Sequence, residues 1–245
     1  MVLLRDDERL DDLFTDQTMK IIQSECVFSY SIDAVLLARF ASVPLKRGKI
    51  IDLCTGNGVI PLMLSRASSV PITGVEIQER LYDMAKRSVT LNQKEAQIHM
   101  IHDDLKNMPK QIGNDKFDLV TVNPPYFQTN SQDHLNKNDH LTIARHELFV
   151  NLEEVIETTS KLVKSGGKVA IVHRPNRLVD LLTLMRFYKL EPKRIQFVYP
   201  KKGKEANILL VEAIRDGRPD VKLLDPLYVF NSDGSYTEEL RQLVF

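Results

Sequence analysis

Ile51-Asp52-Leu53-Cys54-Thr55-Gly56-Asn57-Gly58 is an apolar run that ends in a glycine-rich turn. Further along, Leu119-Val120-Thr121-Val122-Asn123-Pro124-Pro125-Tyr126 is a second apolar run, stopped by a double proline between an amide and an aromatic ring. The first predicts a strand running through a turn into a helix over 59–67. The second predicts a strand closed by a rigid corner. Around them, strand and helix patterns alternate from Lys49 onward. Strands are expected at 49–53, 72–75, 98–102, 117–122, 168–172, 195–198 and 208–212. Helices are expected at 59–67, 78–92, 152–162 (stopped by Gly166-Gly167) and 177–188. Strands that alternate with helices and are apolar on both faces argue a parallel sheet covered on both sides. The connection from 195–198 to 208–212 is too short for a helical crossover, so that last pair should be antiparallel.

Outside this core the pattern is weaker. Residues 6–18 are polar and acidic, with Leu10, Leu13 and Phe14 as apolar contacts, and read as a loop or short helix docked on the body. A short strand is expected at 19–23. A helix follows at 32–40, with Ile32, Val35, Leu36 and Phe40 on one face and Ser31 as N-cap. The polar, aperiodic stretch 127–147 reads as a functional or mobile loop. After Gly217 come Pro219 and Pro226, an apolar 228–230, a turn at 231–234 and a short terminal helix, read as a structural cover without chemistry. The expected division is an N-terminal segment covering the ligand site (1–45), the main α/β domain (46–215) and a packed C-terminal tail (216–245).

Composition narrows the function classes. The 245 residues carry 33 Lys+Arg and 33 Asp+Glu, so a nucleic-acid site must be a local patch, not a global field. Cys26 and Cys54 have no CxxC or Cys/His spacing, which argues against a structural zinc site or a disulfide framework. Arg5, Asp6, Asp7, Glu8 and Arg9 crowd the start, unlike a signal peptide, and no apolar run is long enough to span a bilayer. The expectation is a cytoplasmic protein.

In open parallel sheets, ligands bind beyond the carboxyl ends of the strands. Gly56 and Gly58 lie there and let backbone approach a ligand; two glycines alone also suit an ordinary strand-to-helix turn. Glu76 ends the next strand, about 20 residues on, where an acidic residue reaches ribose hydroxyls. His102-Asp103-Asp104 ends the third. The turn is not G-x-G-x-x-G, and Asp52 would repel a dinucleotide's diphosphate while suiting a cationic ligand. At the second stretch, Pro125 fixes the corner, and the Pro124 carbonyl and Asn123 side-chain oxygen are acceptors. Together they can take both hydrogens of a planar amine and free its lone pair, while Tyr126 can stack on a flat substrate such as a base.

The turn after Asp52 resembles motif I of the S-adenosylmethionine-dependent methyltransferases, usually D-L-G-x-G-x-G, with Cys54 standing where glycine is usual. With Asn123-Pro124-Pro125-Tyr126 it resembles the kind that methylates adenine, guanine or glutamine nitrogens. The resemblance implies a class I, Rossmann-like α/β fold: a mainly parallel sheet, a terminal antiparallel strand, helices on both faces. It implies that Asp52, Thr55, Gly56, Asn57 and Gly58 cradle the methionine part of S-adenosylmethionine. Glu76 would then hold the ribose, and Asp103 and Asp104 the adenine amine. Asn123 would flank the same pocket, and Phe28 and Asp33 would belong to a segment closing over it. No metal is implied. Phe28-x-Tyr30-Ser31-Ile32-Asp33-Ala34-Val35-Leu36-Leu37-Ala38, Asn123-Pro124-Pro125-Tyr126-Phe127, Tyr199-Pro200-Lys201-Lys202-Gly203-Lys204 and Asp233-Gly234-Ser235-Tyr236-Thr237 together resemble the bacterial tRNA1(Val) adenine-37 N6-methyltransferases. That implies a tRNA partner, with RNA contacts expected at Arg145, Arg174, Arg194, Lys201, Lys202 and Lys204. A ribosomal RNA guanine-N2 methyltransferase, a glutamine methyltransferase, and an RNA-binding module that has lost activity are the alternatives.

Overall fold

The computed structural model describes residues 3–13, 17–27, 29–125 and 151–244. The expected roles of Phe28, Tyr126 and Arg145, and the expected loop at 127–147, fall outside them. In chain order the strands are β1 (Glu8–Asp12), β2 (Lys20–Ser24), β3 (Ile50–Leu53), β4 (Ile72–Glu76), β5 (Ile98–His102) and β6 (Phe117–Val122). Then come β7 (Val163–His173), β8 (Leu190–Lys201), β9 (Ile208–Arg215), β10 (Lys222–Leu223) and β11 (Leu227–Phe230). The helices are α1 (Ile32–Phe40), α2 (Val59–Ala67), α3 (Glu79–Leu91), α4 (Met108–Ile112), α5 (Leu152–Leu162), α6 (Leu178–Phe187) and α7 (Glu238–Val244).

The main sheet runs β10-β8-β9-β7-β6-β3-β4-β5, with β11 also on β8. β5, β4, β3, β6 and β7 are mutually parallel, and β9 alone runs against them, between β7 and β8. This is the mainly parallel sheet with an antiparallel strand expected from the spacing. Alternation along the central strands separates two cores. Ile50 and Leu119 pack with Leu36, Leu37 and Leu62 on one face. Ile51, Leu53, Val120 and Val122 pack with Val155, Ile156 and Leu181 on the other. Both faces are therefore apolar, which is why these strands read as unbroken hydrophobic runs.

Three elements differ from expectation. Residues 8–12 form a strand, not a loop or helix, paired antiparallel with β2 so that Leu10 faces Ile22. Its buried acid is neutralised by α3: the Glu8 carboxylate, with no exposed side-chain surface, lies 2.8 Å from Arg80 and 2.6 Å from Arg87, while Asp11 and Asp12 pair with Arg9 and Lys20 within the hairpin. Gly166-Gly167 does not precede β7 but lies inside it, at a register shift against β6. A Cβ on Gly167 would come within 2.7 Å of Val163 Cγ2 and 3.1 Å of the Phe117 carbonyl, so glycine keeps the strand continuous there. β8 extends from Leu190 past Pro192, which sits at a register shift against β9 where its missing N–H is tolerated. Ser31 does occupy the N-cap of α1, without a side-chain cap hydrogen bond.

Candidate active site

The site lies beyond the carboxyl ends of β3, β4 and β6. Asp52 and Thr121 are direct partners across β3 and β6, on the same face. The Thr121 hydroxyl donates to Asp52 Oδ1 at 2.6 Å. Sequence reading passed over Thr121, although it is the one polar residue between Leu119 and Val122, as Asp52 is between Ile50 and Leu53. Asp52 is fully buried, and burial pushes its carboxyl up to about 7 against the pull of the Thr121 hydrogen bond. Among the described residues, Asp52 Oδ2 and Thr55 Oγ1 are buried without hydrogen-bond partners.

The turn itself is left-handed at Cys54 (φ 57°), Gly56 (φ 58°) and Gly58 (φ 89°). Cys54 therefore bears the strain that a positive φ imposes on a side chain. A Cβ on Gly58 would approach Ala85 Cβ at 3.1 Å, so α2 starts hard against α3. A Cβ on Gly56 would meet nothing within 4 Å: that backbone faces open space. Glu76, at the end of β4, accepts from the Gly56 N–H at 2.8 Å and the Gln78 N–H at 2.9 Å. Its burial raises its pKa, with the backbone donors pulling back. The Asn57 amide donates to the Ile22 carbonyl at 3.1 Å, tying the turn to the N-terminal hairpin. That hairpin is in turn fastened to α3 by Ile22 N–H to Ser88 Oγ (3.0 Å) and by Asn92, which bridges both backbone groups of Lys20 (2.9 and 2.6 Å). Asp33 is buried in α1.

After β5, Asp103 accepts from the Asp104 N–H (2.6 Å), Asn107 (2.7 Å) and Gln111. Asp104 caps the following 3-10 turn by accepting from the Lys106 N–H at 2.9 Å. Tyr82 stacks on His102, ring centroids 5.2 Å apart, a contact with no signature in the sequence. Asn123, half-buried, and Pro124, buried, follow β6 directly, next to the β3 turn. Of the expected RNA contacts, Arg194 is engaged within the fold: it donates to Ser42 (2.9 Å) and the Phe40 carbonyl (2.8 Å), lies 3.3 Å from Glu212, and covers the Phe40 ring. Arg174 donates to the Asn207 carbonyl at 2.8 Å, against the β8–β9 connection. Lys201, Lys202 and Lys204 are exposed on that connection and make no ion pair among the described residues.

The methyltransferase small domain family matches residues 18–185. The chain belongs to that family. It is 30% identical over 210 residues to the tRNA1(Val) (adenine(37)-N6)-methyltransferase of Porphyromonas gingivalis W83, covering 82% of this chain and 80% of that one. The protein of the same name from Tolumonas auensis is 27% identical over 92% of both chains. Among solved structures, a predicted O-methyltransferase from Agrobacterium tumefaciens superposes with a TM-score of 0.67 at 22% identity, over 86% of this chain and 94% of that one. Geranyl diphosphate C-methyltransferase from Streptomyces coelicolor, in complex with S-adenosyl-L-homocysteine, gives 0.55 at 12% identity, over 75% and 77%. The chain is an S-adenosylmethionine-dependent methyltransferase. The orphaned Asp52 Oδ2 and Thr55 Oγ1, with the open side of Gly56, fit that cofactor's cationic, hydrogen-bonding methionine end. Among the described residues no cluster of His, Cys, Asp or Glu could hold a metal, and no helix is long and apolar enough to cross a membrane.

Glu76 is expected to hold the ribose. Glu76→Ala removes the acceptor of two backbone N–H groups along with the expected ribose acceptor, so cofactor affinity should fall about tenfold while the fold persists. Unchanged affinity in calorimetry would take Glu76 out of the ribose site.

Proposed function

We propose that this methyltransferase modifies the exocyclic N6 of an adenine in tRNA, at position 37 of tRNA1(Val). The observation that carries the reading is likeness over four-fifths of the chain to relatives named for that reaction. Bound S-adenosylmethionine supplies a methyl group already activated on a sulfonium. The chain's own task is then positioning. Asp52 and Thr55 orient the methionine end, Glu76 the ribose, and Asp103 and Asp104 the adenine end. The Asn123 side-chain oxygen and the Pro124 carbonyl accept the two hydrogens of the target amine. That draws the nitrogen toward tetrahedral geometry and turns its lone pair to the methyl group. Tyr126 stacks on the target base. The proton leaves afterwards, to water. A base in an anticodon loop is already unpaired, so presenting it costs little. Lys201, Lys202 and Lys204, with Arg174 beside them, carry the phosphates; Arg145 joins them in this reading, and Arg194 supports the strand from within. Phe28 and Asp33 close the cofactor side.

Deleting the gene and analysing nucleosides from purified tRNA by mass spectrometry tests this. N6-methyladenosine should vanish from tRNA1(Val) and return on complementation. Its persistence, with loss of a methylated guanine from ribosomal RNA instead, would move the enzyme to the guanine-directed class.

A further inference from the structure

We infer that the C-terminal tail completes a second RNA contact: a stacking subsite where an unpaired nucleotide of the substrate, not the target base, rests on Phe230 and Tyr236 with its phosphate on Lys201 and Lys204. The inference rests on the RNA-methylation reading and adds a site within it. β11 pairs in parallel with β8, setting Tyr228 opposite Tyr199 and Phe230 opposite Lys201. Alternation puts these four on one face. The Tyr199 and Tyr228 rings lie 5.4 Å apart. Beyond them Tyr236 stacks on Phe230 at 5.2 Å with 16° between the planes. The result is an aromatic strip that ends in two exposed rings, Phe230 at 38% and Tyr236 at 40%.

The strip is held in place before any ligand arrives. Phe230 bridges to Tyr236 across the turn at 231–235, where the Asn231 N–H donates to the Ser235 carbonyl at 2.8 Å and Gly234 takes φ 87°. Thr237 fastens the far side, N–H to the Val229 carbonyl at 3.0 Å and hydroxyl to the Tyr228 carbonyl at 2.6 Å. Such a preorganised platform has little of its own ordering left to do on binding.

Pro200, Lys201, Lys204, Glu205, Phe230, Asn231 and Gly234 line an open groove of about 780 Å³, within the size range of small-ligand sites. Two lysines without ion-pair partners among the described residues, beside partly exposed aromatic rings, are the elements by which proteins hold single-stranded nucleic acid. Lys201 lies on the catalytic rim, because β8 runs parallel to β6 and Val122 aligns with Ile171, Val211 and Ile195 across the sheet. Strand geometry puts Lys201 about 25 Å from Val122. That is too far for the target base and suits a nucleotide displaced along the same RNA.

The test uses unmodified tRNA1(Val) transcript with Phe230→Ala, Phe230→Tyr and the double variant Lys201→Glu/Lys204→Glu. Phe230→Ala should raise KM for RNA about tenfold with kcat unchanged, and Phe230→Tyr should stay near wild type. The lysine pair should lower the salt slope of RNA binding by about two. S-adenosylhomocysteine affinity serves as the check that each variant is folded. Independently of any substitution, transcripts with 4-thiouridine in unpaired positions should photo-crosslink to residues 227–237 of the wild-type enzyme. Wild-type RNA affinity and KM in Phe230→Ala, or crosslinks only elsewhere, would overturn the subsite and leave the methylation reading standing. Failure of the wild type to methylate any tRNA would instead remove that reading, and the subsite with it.

Discussion

Asn123→Ala should lower methyl transfer to unmodified tRNA1(Val) transcript by about a hundredfold, the scale of losing one positioned polar group in an active site. The side chain follows β6 at the corner set by Pro124 and Pro125, and contributes one of two proposed acceptors for the target amine. The other acceptor is a backbone carbonyl that no substitution deletes, so part of the rate should survive. Cofactor affinity should stay near wild type, because Asp52, Thr55, Gly56 and Glu76 belong to the neighbouring β3 and β4 and the turn after β3. A transcript with guanine in place of the target adenine should remain unmethylated by either protein. Full activity of Asn123→Ala would end the proposed acceptor mechanism. Equal methylation of both transcripts would end the adenine assignment.

The second large effect is on pH. Burial holds the Asp52 carboxyl at about 7, against about 3.9 in an unfolded chain. A carboxyl whose folded pKa is raised binds its proton more tightly in the folded protein. Ionising it therefore costs stability, and the ligand-free protein should lose up to about 4 kcal/mol as pH rises from about 4 through 7. A bound ammonium group reverses the preference, since it favours the carboxylate. Cofactor binding then releases a proton, and affinity should climb by up to tenfold per pH unit below about 7. Between pH 5 and 7 the gain approaches a hundredfold. Glu76, raised by its own burial, contributes in the same direction when it accepts from ribose hydroxyls. Asp52→Asn should flatten the affinity curve and remove the stability loss. Calorimetry in buffers of different ionisation enthalpy counts the released proton. A wild-type slope retained in Asp52→Asn would place the ammonium's counter-charge elsewhere.

Much of this site could be read before the fold was known, and for a physical reason. The turn, Glu76 and Asn123 each end an apolar run, and a buried parallel strand is conspicuous in sequence. The helix at Val59–Ala67 and the strands at Ile98–His102 and Phe117–Val122 fall where the pattern puts them. What escaped depends on partners distant in the chain. The strand at Glu8–Asp12 is acidic and looks like a loop until Arg80 and Arg87 come up beside Glu8. The tie of the Asn57 amide to the Ile22 carbonyl, 35 residues away, has no local signature. Arg194 sits in a basic run that suggests a free surface, yet Glu212 and Phe40 hold it half-buried against the fold. The aromatic strip needs β11 beside β8, a pairing between segments that no local periodicity announces.

Cys54 has one more consequence. It places a sulfur in the loop proposed to serve an alkylating cofactor, and a thiolate is a strong nucleophile for a sulfonium methyl group. Burial, with the negative charges of Glu76, Asp52 and Asp104 around it, pushes this thiol well above its ordinary pKa. It stays protonated and unreactive at neutral pH. Burial first, and then the carboxylates proposed to hold the cofactor, would thus keep the enzyme from alkylating itself, so that the proposed target amine meets no rival from within the pocket.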